Sequence, residues 1–192
     1  MGDTTPTEIS MRTCLLVAFL LAAATAAPAA EQQPYAGLQD RPIRAMSAEE
    51  IDALASGLGF SQALAAELNG YPGPRHVLDL ADQLGLGDDR KAEIGALFDD
   101  MKAEAIAAGQ AVLTAEADFD ALFREGGPSE DEVMSAAEEI GRLRGILRGI
   151  HLRYHLQTTA LLTPHQIALY NAARGYGEGG GAHGGHGAHT AQ

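Results

Sequence analysis

Two histidines, His151 and His155, have the residue type and spacing that most clearly suggest chemistry. They lie four residues apart in a segment with helical periodicity, so both imidazoles leave one helix face about one turn apart, a spacing suited to a shared metal ion. If this segment runs antiparallel to the preceding helical segment, the register predicts Glu104 opposite His151 and Asp100 opposite His155. Two imidazoles and two carboxylates without sulfur favour Zn²⁺, Ni²⁺, Co²⁺ or Cu²⁺ over Cu⁺.

The surface around these histidines has two other interpretations. Arg144 and Arg148 precede the histidines at helical spacing, which is also typical of a solvated face paired with acids of a neighbouring helix. Alternatively, arginine stems and nearby leucines can hold unfolded protein weakly and reversibly. The residues of that client-binding surface would be Arg144, Arg148, Leu152 and Leu156.

Further candidate ligands lie in a glycine-rich tail, where His183, His186 and His189 are spaced by three. Flexible histidine-rich tracts bind transition metals with modest selectivity, and the alternative is a tail that only adds solubility. Met101 and Met134 fit the apolar patterns of their helices, so we expect them to be packing residues and not ligands for soft metals.

The sequence contains no catalytic motif of the common enzyme classes. No nucleophile has a base at a motif spacing, no glycine-rich loop follows a strand, and no HExxH helix occurs. We therefore expect a non-enzymatic protein without an organic cofactor. A formal net charge of −13 makes nucleic acid an unsuitable partner.

Long amphipathic helices must position the candidate residues. Apolar or small residues recur every three or four positions over residues 94–122 and again over 133–161, and Gly126-Gly127-Pro128 separates the two stripes. The pattern predicts an all-α fold dominated by a long antiparallel helical hairpin, with helices about 50 Å long at 1.5 Å per residue. Capping signals predict short flanking helices over residues 47–56, 61–69, 75–84 and 163–174.

The ends of the chain differ in composition from its middle. Residues 1–30 resemble a secretory signal peptide, with translation starting at Met11 and an apolar run too short for a typical membrane span. Residues 31–74 form a polar N-terminal arm with short helices, 75–176 the hairpin domain, and 177–192 a disordered Gly/His-rich tail. This organisation predicts export to the periplasm.

A sequence motif at the end of the hairpin resembles that of a known family. Leu162-Thr163-Pro164-His165-Gln166 is similar to the LTxxQ signature of the Spy/CpxP family, to which periplasmic heavy-metal sensors are related. At the place of the family's second motif copy, residues 84–90, both Thr and Gln are missing. The likeness covers about residues 75–175.

This resemblance implies a hooked hairpin that pairs into a homodimer. It also implies an ATP-independent chaperone or envelope-stress sensor in the periplasm, with unfolded envelope proteins or a membrane sensor as partners. Some metal-sensing relatives place ligands one turn apart on the hairpin. Three functions follow as hypotheses: a chaperone, a heavy-metal sensor or resistance protein, and an adaptor for a membrane signalling complex that docks through residues 35–71.

Overall fold

The computed structural model describes residues 33–176, and within this range the chain is helical and contains no strand. It divides into two units, Met1–Gln39 and Asp40–Gln192. The described part of the first unit consists of turns that lead into a short 3-10 helix, Leu38–Asp40. None of the described helices combines the length and apolar character that crossing a membrane demands. The predicted signal peptide and the predicted tail lie outside the described residues.

In the described part of the second unit, residues 40–176, six α-helices follow, and two of them are much longer than the rest. The short helices α1, α2 and α3 precede the long pair α4 and α5, and α6 closes the fold. Their bounds are Ala48–Ser56 (α1), Leu64–Glu67 (α2), Pro74–Asp79 (α3), Asp88–Glu125 (α4), Glu130–Ala160 (α5) and Pro164–Ala173 (α6). The fold is therefore all-α, as the apolar periodicity predicts.

Side-chain contacts join the two long helices along their length. Near the connection, Arg144 donates to the Glu116 carboxylate at 2.7 Å, and further away the Tyr154 hydroxyl donates to Glu104 at 2.7 Å. Arg144 also reaches Glu50 on α1 at 3.2 Å. These contacts fix the register of the long pair and tie α1 to it.

Two hydrophobic clusters form the core. We call the part of the long helices between them, which contains His151 and His155, the polar layer. The first joins α1 to the middle of the long helices and contains Ile43, Met46, Leu54, Ala105, Val112, Leu113 and Leu147. The second joins α3, the following turn and α6 to the long helices and contains Val77, Ala81, Leu84, Leu86, Ile94, Leu162 and Tyr170. Along the chain, His151 and His155 of α5 lie between Leu147 of the first cluster and Leu162 of the second, which follows the end of α5.

The segment predicted as a separate arm is part of this core. From Asp40 onward it belongs to the same compact unit as the long helices, and α1 packs against α4. The arm boundary expected at residue 74 therefore differs from the observed one, which follows Gln39. The cause is tertiary, since α1 contributes Leu54 to the first cluster and has too few residues to be stable alone.

A glycine on the long helix allows α1 to approach closely. A Cβ atom at Gly109 would lie 2.2 Å from the backbone oxygen of Leu54. At the end of α1, Gly57 adopts a φ of 70°, and a Cβ there would lie 2.9 Å from the Lys102 oxygen. Backbone therefore packs directly on backbone where α1 crosses α4.

Side-chain caps begin three of the helices, and two of these caps are reciprocal capping boxes. Ser129 and Glu132 cap α5 reciprocally, and Thr163 and Gln166 do the same for α6. Gln166 also donates to the Leu84 oxygen at 3.2 Å, so the motif residue fastens α6 to the turn that follows α3. At α1 the Ser47 hydroxyl accepts from the Glu50 N–H, as predicted.

The short helices are shorter than their patterns suggest. Residues 61–69 form only one turn of α-helix in α2, and the helix expected over residues 75–84 ends at Asp79. The long helix α4 begins at Asp88, with Gly87 as its N-cap and no side-chain cap. The aspartates favour the positive end of the helix dipole without serving as the cap.

Candidate functional site

The two candidate histidines are buried beneath the short helices. His151 is 3% exposed and His155 is 8% exposed. The turn that follows α1 covers His151, because a Cβ at Gly59 would lie 3.3 Å from its ring. Residues 71–73 cover His155 in the same way. The interpretation of this stripe as a solvated face is therefore wrong for both histidines.

Both histidines line one cavity of about 220 Å³. Leu58, Pro74, Phe98 and Met101 contribute apolar wall, and Met101 is itself 7% exposed. The charged side chains at the wall are basic, namely Arg75 and Lys102, and no Asp or Glu from the described ranges takes part. A pocket of this kind, apolar with a few convergent nitrogen groups, has the properties of a site for a small ligand or an ion.

His155 is held in one orientation by the chain in front of it. Its Nδ1 lies 2.7 Å from the Tyr71 backbone oxygen, and since a carbonyl can only accept, Nδ1 carries the proton of this hydrogen bond. The Nε2 atom of a neutral His155 then keeps its lone pair. A hydrogen bond from Nδ1 to a carbonyl is the arrangement that commonly orients histidine ligands of metals.

A buried carboxylate supports His155 from the same side. Glu67 is 6% exposed, and its Oε2 lies 3.8 Å from His155 Nδ1. The Tyr170 hydroxyl donates to Glu67 Oε1, and Arg174 Nε lies 3.5 Å from the same oxygen. Burial, and then the bond to Glu67, raises the pKa of Tyr170. The sequence does not reveal Glu67 as a site residue, because a single acidic residue in the predicted N-terminal arm belongs to no motif and no periodic pattern.

His151 has an unused nitrogen inside the protein. Its Nε2 is buried and has no hydrogen-bond partner among residues 33–176. Burial lowers the pKa of His151, and positive charge on His155 would lower it further. The imidazole is therefore neutral at neutral pH, and a buried polar atom without a partner costs free energy unless a ligand satisfies it.

The predicted carboxylate ligands do not join the histidines. Glu104 accepts hydrogen bonds from Tyr154 and Arg153, which lower its pKa, and Asp100 is exposed. Within the described part of the chain, no group of three or more His, Cys, Asp or Glu side chains could hold a metal ion. The four-residue ligand cluster is therefore wrong in this register, because the partner of Glu104 lies three residues beyond His151.

The residues predicted to bind clients differ in their exposure and contacts. Arg144 is engaged by Glu116 and Glu50, as the alternative of a stripe paired with acids predicts. Arg148 is exposed, Leu152 is half-buried and Leu156 is 56% exposed.

The remaining predicted site residues divide between motif and tail. Leu162 is 8% exposed and packs in the second cluster, while Thr163 and Gln166 form the α6 cap. All three motif residues thus have structural contacts. His183, His186 and His189 lie outside the described residues.

Comparisons of the chain with protein-family models, with curated proteins and with solved structures find no match. The site is therefore interpreted from its own geometry: two buried imidazoles at one cavity, one of them oriented by a carbonyl and the other with an unpartnered nitrogen.

Proposed function

We propose that this protein is an exported, non-enzymatic stress protein that responds to a transition-metal ion bound by His151 and His155. The observation that carries this proposal is the unpartnered, buried Nε2 of His151 at the cavity that His155 also lines. A bound ion would satisfy that nitrogen, whereas a purely structural core would favour an apolar residue at this position.

The surroundings of the pair support metal binding in two ways. Metal ligands must be deprotonated, and burial holds His151 in its neutral form. His155 has the Tyr71 carbonyl at 2.7 Å and the Glu67 carboxylate at 3.8 Å behind Nδ1, which leaves Nε2 as the coordinating atom. Such partners typically contribute tenfold to hundredfold in metal affinity, about 1.4 to 2.7 kcal/mol.

The covering segments suggest how binding is communicated. Gly59 and residues 71–73 lie against the two imidazole rings, so an ion at the cavity would stabilise the conformation in which α1 and α3 are packed on the long helices. A ligand at one hundred times its dissociation constant adds about 2.7 kcal/mol to the folded state. A partner protein would recognise this conformation, in which the short helices are packed on the long pair.

The wider assignment rests on likeness to the Spy/CpxP family. On that basis we propose that the long pair is an antiparallel, hooked hairpin that forms a homodimer in the periplasm after signal-peptide cleavage. The contacts Arg144–Glu116 and Tyr154–Glu104 support the antiparallel arrangement. The partner that recognises the ion-bound protein would be a membrane sensor.

Loss of the histidine pair is expected to remove one bound ion. The purified chain is titrated calorimetrically with Zn²⁺, Ni²⁺, Co²⁺, Cu²⁺ and, as a stand-in for Cu⁺, Ag⁺. For at least one ion, the double variant His151→Gln/His155→Gln should bind one equivalent less than the unaltered chain. Substitution removes both ring nitrogens that the cavity presents, while the tail histidines stay in place.

The control variant is His165→Gln, which removes an exposed imidazole on α6 and should leave the stoichiometry of the cavity unchanged. Urea unfolding of the double variant verifies that it is folded, and the single variants are used if it is not. Equal stoichiometry in all variants for every ion would overturn the proposed function.

A second candidate function is favoured by exposed apolar side chains at the connected end of the long helices. Phe123 is 53% exposed and Met134 is 58% exposed, and they line a shallow depression of about 280 Å³ with Pro128 and Val133. Such a surface suits weak binding of unfolded protein without ATP. It lies away from the histidines, so chaperone activity that persists in the double histidine variant would mark it as a separate function.

A further inference from the structure

The cavity contains a third donor that the divalent-metal hypothesis does not use. We propose that Met101 Sδ joins His151 and His155, and that the cavity is selective for a soft monovalent ion, Cu⁺ or its analogue Ag⁺. This inference rests on the proposed function and specifies its ion. It also revises the expectation that Met101 serves packing alone.

Met101 occupies the same polar layer as the histidines. It lies on α4 between Ile94 of the second cluster and Ala105 of the first, and the histidines of α5 lie in the same way between Leu147 and Leu162 along the chain. It is 7% exposed and lines the cavity, whereas Met134 is 58% exposed near the other end of the pair. Met101 is therefore a largely buried residue at the same cavity as the two imidazoles.

The donor set contains no negative charge. Glu104 is committed to Tyr154 and Arg153, and no Asp or Glu of residues 33–176 lines the cavity. Two imidazoles and a thioether are neutral ligands. Imidazole binds Cu⁺ as well as Zn²⁺, Ni²⁺ and Co²⁺, but a thioether selects soft ions such as Cu⁺, and the harder divalent ions gain little from it.

Charges at the cavity wall oppose a divalent ion more than a monovalent one. Arg75 and Lys102 line the cavity, and their repulsion of a bound cation scales with the charge of the ion. His76 also lines the cavity but lies 3.6 Å from Asp79, to which it pairs when protonated. The one carboxylate near the pair, Glu67, lies behind His155 Nδ1 and not at the cavity wall, so the second charge of Zn²⁺ or Ni²⁺ is less well compensated there.

The test follows the methionine methyl groups of the full chain by NMR after ¹³C-methyl labelling. Ag⁺ is the probe, since it does not change oxidation state. One equivalent should shift the Met101 methyl signal, which is identified by its absence in Met101→Leu, and should leave the Met134 signal in place. Met101→Leu conserves volume and is expected to fold.

Variants at the two methionines also measure how much Met101 contributes to the affinity for Ag⁺. Met101→Leu should weaken Ag⁺ binding at the cavity by about tenfold or more, the size of effect seen when a metal site loses a supporting group. The matched variant Met134→Leu should bind as the unaltered chain does. An unshifted Met101 methyl signal, or equal affinity of Met101→Leu and Met134→Leu, would overturn the inference.

Failure here is distinguishable from failure of the proposed function. If a divalent ion occupies the cavity, as shown by its loss in the double histidine variant, and Met101 does not respond to Ag⁺, the ion assignment is wrong and the metal function stands. If neither kind of ion depends on the histidines, both proposals are wrong.

Discussion

Replacing Gly109 by alanine should destabilise the fold by about 3 kcal/mol, the upper part of the range for overpacking a rigid core. The added Cβ would lie 2.2 Å from the Leu54 oxygen, and both partners are backbone held in helices. α1 must therefore move away from α4, which separates Leu54 from the first cluster. Urea unfolding measures the loss as a lower midpoint at similar slope.

The matched control variant, Gly145→Ala, should change the stability of the fold in the opposite direction. Gly145 lies inside α5, and nothing lies within 4 Å of a Cβ built there. Alanine is favoured over glycine in an exposed helix by about 1 kcal/mol, so Gly145→Ala should stabilise the protein. If Gly109→Ala also stabilised it, the packing of α1 against α4 described above would be incorrect.

Replacing Gly73 by alanine should lower the metal affinity of the histidine site more than it lowers the stability of the fold. The backbone at Gly73, with φ −85° and ψ 153°, suits alanine, but its Cβ would lie 2.6 Å from His155 Nε2. The ring must turn, which breaks its bond to the Tyr71 oxygen and misdirects Nε2. We expect a loss of about tenfold to hundredfold in metal affinity, as for other losses of ligand orientation.

A closely matched glycine controls for the change in helix capping. Gly87 is also an N-cap glycine, with φ −71° and ψ 163°, and a Cβ there meets nothing within 4 Å. Gly87→Ala and Gly73→Ala should therefore lose similar capping stability, while only Gly73→Ala loses affinity in the calorimetric titration. Equal affinities in the two variants would contradict the placement of His155 against residue 73.

Local signals in the sequence predicted the helical elements well. Ser129 with Glu132, and Thr163 with Gln166, form the capping boxes where the residue types require them. These predictions succeed because a cap depends on atoms within four residues of one another. Burial of the histidines depends instead on segments far away in the chain, which sequence periodicity cannot reveal.

The error in the carboxylate ligands has the same origin. A hairpin register taken from the turn alone pairs Glu104 with His151, but the observed partners of Glu104 are Tyr154 and Arg153. The register of the long pair is set by the whole interface, including the Arg144 link to Glu116 and Glu50. A shift of three residues is nearly one helical turn and is enough to remove an acid from the site.

The polar layer has an energetic implication. His151, His155 and Glu67 are buried polar side chains, and Glu67 Oε2 and His151 Nε2 have no hydrogen-bond partner among the described residues. Each such atom costs about 1–3 kcal/mol when left unsatisfied. An ion at the proposed site would give His151 Nε2 a partner.

We propose that the cavity holds a metal ion between the two imidazoles. Crystals of the chain prepared with one equivalent of the tightest-binding ion, measured at the absorption edge of that ion, test it most directly. We predict an anomalous difference peak at bonding distance from His151 Nε2 and His155 Nε2, beneath residues 57–59 and 71–73. Peaks elsewhere on the chain with none in the cavity would contradict the account.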